Sequence, residues 1–223
     1  MAKYSLTVVN NSELSQGNPH FAVIAELPEA RTGNALSTAW LGQVIHPGNR
    51  YTFTWDITWG FAWSASGTAK DYQWSANGAI EADPTSASKC AATFDYTHGD
   101  FRLEHTTQTP APNHDQLWIY DTAAIPKPSD QPSSVGVTLN GLPTCVVDAG
   151  PNLEHVFTLH PTYYIVAGGY QQSQMVDVAT LTEIAVLAYD TGVAALTATL
   201  DAQNQWHIAP SAAQDVAAVN AQA

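Results

Sequence analysis

The sequence is short of charge, and above all of positive charge. Of its 223 residues only 7 are Lys or Arg, against 20 Asp or Glu, and the formal net charge is −13. Charged residues make up 12% of the chain, about half of the roughly 25% usual in soluble domains. The bases are Lys3, Arg31, Arg50, Lys70, Lys89, Arg102 and Lys127, so the last 96 residues hold eight acids and no base. Nucleic acid is held by clustered Lys and Arg that release counterions, and no cluster exists here. Nucleic acid is therefore excluded as a partner, and so is docking on an anionic membrane through a polybasic patch. Cysteine is as scarce. Cys90 and Cys145 are too few for a zinc site and read as buried, reduced thiols, with a pair across two sheets as the alternative. No run approaches the roughly 18 to 20 apolar residues of a membrane helix. The opening Met1-Ala-Lys-Tyr-Ser-Leu-Thr-Val-Val lacks the apolar centre of a secretory signal and reads as a strand, so a cytoplasmic location is expected. There is no Gly-x-Ser-x-Gly, no His-Glu-x-x-His and no glycine-rich loop opening a helix. The usual marks of a serine hydrolase, a zinc peptidase and a nucleotide cradle are all missing, and no cofactor is expected.

What the chain does have is an alternation of period two. Phe53, Trp55, Ile57, Trp59, Phe61 and Trp63 alternate with small or polar residues, which places all six on one face of a strand or hairpin. Runs of β-branched and aromatic residues predict strands near 3–10, 20–27, 36–44, 50–56, 59–66, 89–96, 100–106, 115–120, 135–140, 143–148, 154–159, 162–168, 182–189, 194–200 and 205–209. Turn signals separate them, Asn140-Gly141 being the sharpest. Five prolines between 107 and 134 mark a long loop, interrupted by Leu117-Trp118-Ile119-Tyr120, and the end after Pro210 reads as a flexible tail, 211–223. The expected fold is all-β: one domain over 1–210, a two-sheet antiparallel β-sandwich with little helix.

The segments on either side of the loop share a pattern. Pro47-Gly-Asn-Arg-Tyr-Thr-Phe-Thr-Trp-Asp-Ile-Thr-Trp-Gly-Phe is matched by Gly150-Pro-Asn-Leu-Glu-His-Val-Phe-Thr-Leu-His-Pro-Thr-Tyr-Tyr-Ile, each with a turn, Phe-Thr, and a later Thr-aromatic pair. A duplicated hairpin explains this as an internal pseudo-repeat; chance agreement among Thr-rich strands is the alternative. The runs Leu36-Ser-Thr-Ala-Trp-Leu, His46-Pro-Gly, Phe53-Thr-Trp, Gly60-Phe-Ala-Trp and Phe157-Thr-Leu-His-Pro-Thr-Tyr-Tyr-Ile-Val resemble those of the rhizosphere-expressed RhiA-type proteins of soil bacteria and fungi. The resemblance spans about Ser5 to Ile208. Its motifs are aromatic and structural, no catalytic residues are established for that family, and none is carried over.

Candidate site residues follow from residue type. The aromatic stripe is read as core rather than as a sugar platform. Trp74 and Trp118 lie outside it and are candidate ligand contacts, together with Tyr163 and Tyr170. Among eight histidines, His98, Asp100, Glu104 and His105 form the one group whose spacing allows a metal or acid–base cluster across a turn, although hydrogen-bonded turn histidines are the default and no metal is expected. His160, beside Pro161, is the strongest functional histidine, with Asp56 or Asp148 as a carboxylate partner. Calcium is disfavoured because no Asp-x-Asp-x-Asp spacing occurs. So thin a charged surface predicts strand faces covered by another copy, hence a homo-oligomer. Three functions are expected in this order: a non-enzymatic binding protein with an aromatic-lined site for a small molecule or carbohydrate; a cyclase or hydrolase using His and a carboxylate; and a protein inserting exposed aromatics into neutral lipid.

Overall fold

A computed structural model describes residues 3–13, 19–27, 35–106 and 114–211. The strands are β1 (Lys3–Asn10), β2 (His20–Glu26), β3 (Leu36–Val44), β4 (Arg50–Asp56), β5 (Trp59–Ser64), β6 (Gly78–Ala82), β7 (Ala91–Thr97), β8 (Asp100–His105), β9 (Gln116–Asp121), β10 (Ser134–Leu139), β11 (Leu142–Asp148), β12 (Glu154–Thr158), β13 (Thr162–Gly168), β14 (Met175–Val176), β15 (Ile184–Leu187), β16 (Ala195–Leu200) and β17 (Trp206–Pro210). The only helical turn among the described residues is a 3-10 turn at Val178–Thr180. All fifteen predicted strands are present, and β6 and β14 are additions. The first part of the long loop (107–113) and the tail beyond 211 lie outside the described residues.

The strands build two layers. One is a nine-stranded sheet ordered β15-β13-β2-β3-β11-β10-β5-β6, with β14 added beside β3. The second layer is not one sheet, as the sequence suggested, but two four-stranded sheets, β17-β16-β1-β4 and β12-β9-β7-β8. Two pairings, β1–β16 and β7–β9, are parallel, and the other named pairings are antiparallel. One continuous core lies between the layers and takes Leu6, Phe53 and Leu196 from one small sheet, Phe94, Leu117 and Phe157 from the other, and Phe21, Trp40, Phe61 and Ile165 from the large sheet. Burying each such side chain contributes about 1.5 to 3 kcal/mol.

The pseudo-repeat extends far beyond the hairpin that revealed it. Exchange β1–β8 with β9–β13 and β15–β17 in order, and every named pairing maps onto another; β14 alone has no counterpart. Registers map as well as strands. Leu6 faces Phe53 as Leu117 faces Phe157. Val23 faces Ile165 as Val137 faces Phe61. The β2–β3 ladder slips at Val23/Ile24 and the β10–β11 ladder at the matching Val137/Thr138. Bulges of this kind are specific features rather than noise, so their shared position supports duplication over chance. The pseudo-two-fold axis passes between β3 and β11, and each small sheet takes two strands from each repeat.

The aromatic stripe needs one correction. β4 and β5 neither pair nor share a layer; Asp56–Thr58 is an arch that carries the chain from a small sheet into the large one. Phe53, Trp55, Trp59 and Phe61 are buried, as the core reading requires, but Ile57 at the crown of the arch is exposed and Trp63 is half-buried against Phe94 and Phe101. The arch between β12 and β13 is its counterpart.

Candidate aromatic cleft

The two arches meet at a cleft of about 480 Å³. Ile57 and Trp59 line it from the first arch, and their counterparts Pro161 and Tyr163 line it from the second, so the cleft straddles the pseudo-two-fold axis. Tyr4 at the start of β1 and Tyr189 beyond β15 complete its wall. Behind these residues the rings form one aromatic cluster. Trp55 lies 6.1 Å from Tyr4, 5.7 Å from Tyr163 and 5.7 Å from Tyr189, measured between ring centroids. Trp40 packs edge-on to Trp55 at 5.4 Å and donates its indole N–H to the Leu139 carbonyl at 2.8 Å. Edge-to-face and offset contacts at these distances are the favourable ones for aromatic quadrupoles.

Polar groups also line the cleft. The Tyr189 hydroxyl donates to the Ser5 carbonyl at 2.9 Å. Burial pushes the Tyr163 hydroxyl up to about 12, an effect that the neighbouring Trp55 indole reduces. The Trp55 indole N–H is itself buried without a hydrogen-bond partner of normal geometry. At the rim, His160 Nε2 stands 3.6 Å from Asp115 Oδ1, both side chains exposed.

The other candidates divide. Tyr163 and His160 line the cleft. The partner of His160 is Asp115 rather than Asp56 or Asp148: Asp56 is its counterpart in the other arch, and Asp148 Oδ1 accepts the Thr68 amide at 2.6 Å. Trp74 is 4% exposed, donates to Ser134 Oγ at 2.8 Å and packs with Ala62, Val146 and Met175 on the outer face of the large sheet. Its edge also lines a second crevice, of about 360 Å³, with Ser64, Tyr72 and Asn77. Tyr170 packs near Ala22, Ile24 and Val166 on that same outer face. Trp118 is half-buried on β9, where its ring lies near that of Tyr120.

The His98–His105 group does not assemble. His98 and Asp100 sit at the β7–β8 turn, where His98 and Gly99 both take positive φ, whereas His105 lies at the far end of β8 and its Nε2 approaches the Glu81 carbonyl at 2.7 Å. Five strand residues span about 17 Å, too far for a shared ion. Among the described residues no three His, Cys, Asp or Glu side chains converge as metal ligands. Both cysteines are buried free thiols. No helix among the described residues is long and apolar enough to cross a membrane. Among the described residues no tryptophan is one of the exposed large apolar side chains.

Sequence reasoning missed Tyr4, Trp59 and Tyr189 as cleft residues. Their shared signal is present only in part: Trp59 occupies the same motif position as the candidate Tyr163.

Comparison with known proteins matches the chain along most of its length. The RhiA family model matches residues 1–211. The chain belongs to the RhiA family. Protein RhiA of Rhizobium leguminosarum bv. viciae is 29% identical over 213 residues, covering 94% of this chain and 87% of the relative. No solved structure matches the chain. Family membership spans both repeats and both arches, so the cleft lies wholly within the family's extent.

Proposed function

We propose that this RhiA-family chain is a non-enzymatic binding protein that seats a small, flat, uncharged and largely apolar molecule in the cleft between its arches. The observation that carries this reading is the continuous cluster of Tyr4, Trp40, Trp55, Tyr163 and Tyr189 opening into a cleft of about 480 Å³. Pockets of this size, apolar with a few polar groups, are the usual form of small-molecule sites. The net charge of −13 disfavours anions by long-range repulsion. The rim residues His160 and Asp115 supply a hydrogen bond that orients the ligand.

The test is titration with the neutral fluorophore N-phenyl-1-naphthylamine, read by energy transfer from tryptophan. Ile57→Arg adds bulk and charge at an exposed cleft position and is expected to weaken binding about tenfold or more. His160→Ala is expected to weaken it only a few-fold. An unchanged titration for Ile57→Arg removes the cleft as the site. One observation favours a second reading, the 3.6 Å approach of His160 to Asp115, which suits general acid–base work. Turnover of a bound ligand abolished by His160→Ala, with binding intact, would establish it.

A further inference from the structure

The outer face of the sheet β12-β9-β7-β8 carries side chains that folding does not demand. β9 alternates strictly, with Leu117, Ile119 and Asp121 buried inward and Gln116, Trp118 and Tyr120 half-buried on the outer face. The Trp118 and Tyr120 rings are nearly parallel, with centroids 6.2 Å apart and planes at 20°. Tyr120 stands in register with Glu154 on one side and Thr93 on the other, and Thr93 with Glu104, so a row of carboxylate, ring, hydroxyl and carboxylate crosses all four strands. Beside it runs a polar crevice of about 270 Å³ lined by Thr93, Asp95, Thr97, Arg102, Glu104 and Thr122. Asp95 is fixed there: both its oxygens accept hydroxyl donors, one from Thr97 and one from Thr122.

The first repeat provides an internal control. Exchange of the repeats places Thr7 and Val9 of the other small sheet where Trp118 and Tyr120 stand, and Thr52, Thr197 and Thr199 around them. That face is closed by hydroxyl pairs, Thr7 with Thr52 at 3.0 Å and Thr197 with Ser211 at 2.9 Å. The same ladder, in the same register, therefore forms without any outer aromatic residue. The two rings on β9 are not required by the fold.

From these observations we infer that the β9 face is a second binding site, distinct from the cleft, for a neutral oligosaccharide with flat pyranose rings. The chemistry selects the class. Parallel aromatic rings accept the C–H faces of sugar rings, while carboxylates and hydroxyls on both sides accept from and donate to sugar hydroxyls. Glu104, Glu154 and Asp95 outnumber Arg102 on this face, so a polyuronate is repelled where a neutral glucan is not.

Cellohexaose, laminarihexaose and oligogalacturonate serve as probes, with tryptophan emission and affinity electrophoresis as readouts. A neutral hexaose is expected to bind and to perturb emission, and Trp118→Ala is expected to cost about tenfold or more in affinity. Tyr120→Ala is expected to do the same. Ile57→Arg, which blocks the cleft, is expected to leave this affinity unchanged, so loss of the cleft reading does not carry this one with it. Because Trp118 contributes to sheet packing, each variant is first checked for wild-type unfolding; Glu154→Gln, at an exposed position, is the variant that leaves the packing alone, and a few-fold loss is expected from it. Absence of binding to either neutral hexaose overturns the proposal. So does binding that Trp118→Ala and Tyr120→Ala leave intact, or a preference for oligogalacturonate.

Discussion

In the first repeat, the chain between β1 and β4 is tied by Asn10. Its Nδ2 donates to the Ile45 carbonyl at 2.7 Å, and its Oδ1 accepts both the Ser12 amide and the Ser12 hydroxyl. The matching position of the second repeat holds Asp121, whose Oδ2 accepts the Gly150 amide at 2.9 Å and lies 2.9 Å from Nε2 of the buried His155. The backbone around the two is alike: the Asn10 amide donates to the Asn49 carbonyl, and the Asp121 amide to that of Leu153, its counterpart. One repeat thus meets a buried polar demand with a neutral amide. The other uses a carboxylate and an imidazole, and leaves Asp121 Oδ1 without a partner. A duplicated fold separates what the backbone requires, which both repeats supply, from what each repeat added.

Substitution at this pair gives the largest expected contrast. Asp121→Ala strands the His155 ring nitrogen and the Gly150 amide in the interior, and breaking a buried charged or polar pair costs about 3 to 5 kcal/mol. Asn10→Ala removes a neutral network and is expected to cost about 1 to 3 kcal/mol. Urea unfolding of the two variants measures both. Equal losses would mean that the carboxylate and imidazole contribute no more than a turn closure.

The duplication was legible in the sequence only at β4–β5 and β12–β13, and the reason is physical. Connections vary in length while registers do not. Counterparts lie 103 residues apart at His105 and Ile208 but 114 apart at Val23 and Val137. No single sequence shift aligns the halves, whereas strand pairing ignores loop length. The arch misled for a related reason. Ile57 continues the alternation of Phe53 through Trp63 although it sits on the connection, so period two alone cannot show that the chain changes layer. The missed strand β6, Gly78–Ala82, presents only Ala82 and the partly buried Ile80 to the core, too little to stand out from a loop. In the sequence Trp118 stands out only as an interruption in a loop, because the four-strand row that gives it neighbours is assembled from residues far apart in sequence.

The arches offer the next contrast. Trp59 and Tyr163 are counterparts, but only Tyr163 titrates. Its hydroxyl is held at about 12 by burial, against 10.0 for a free tyrosine, so the unfolded chain ionises first. The stabilisation is complete below pH 10 and is lost as pH rises towards 12, by about 3 kcal/mol. Burial also pushes Tyr189 upward, in the same direction. Tyr163→Phe is therefore expected to shallow the alkaline fall in urea stability without flattening it, and to remove one late step from the ultraviolet titration of tyrosinate. A wild-type slope in the variant would show that the cleft admits water freely enough to ionise its wall.

The thiols give the smallest contrast, and it concerns chemistry more than stability. Exchange of the repeats places Leu41 opposite Cys145, through the bulge-matched ladders, and Leu196 opposite Cys90, through the parallel strands beside β1 and β9. Each cysteine therefore stands where the other repeat has a leucine, which is how a free buried thiol behaves when it has no redox role. Burial pushes the Cys145 thiol up to about 12 and raises that of Cys90, so neither forms the nucleophilic thiolate near neutral pH. Both are expected to resist 5,5′-dithiobis(2-nitrobenzoate) at pH 8 until the chain unfolds, with Cys145 the slower, and Cys145→Ala is expected to cost only about 1 kcal/mol. Rapid reaction of Cys90 in the folded protein would break the parallel with Leu196, because a position that reacts before unfolding is reached by solvent and is no longer a core position that happens to carry sulfur.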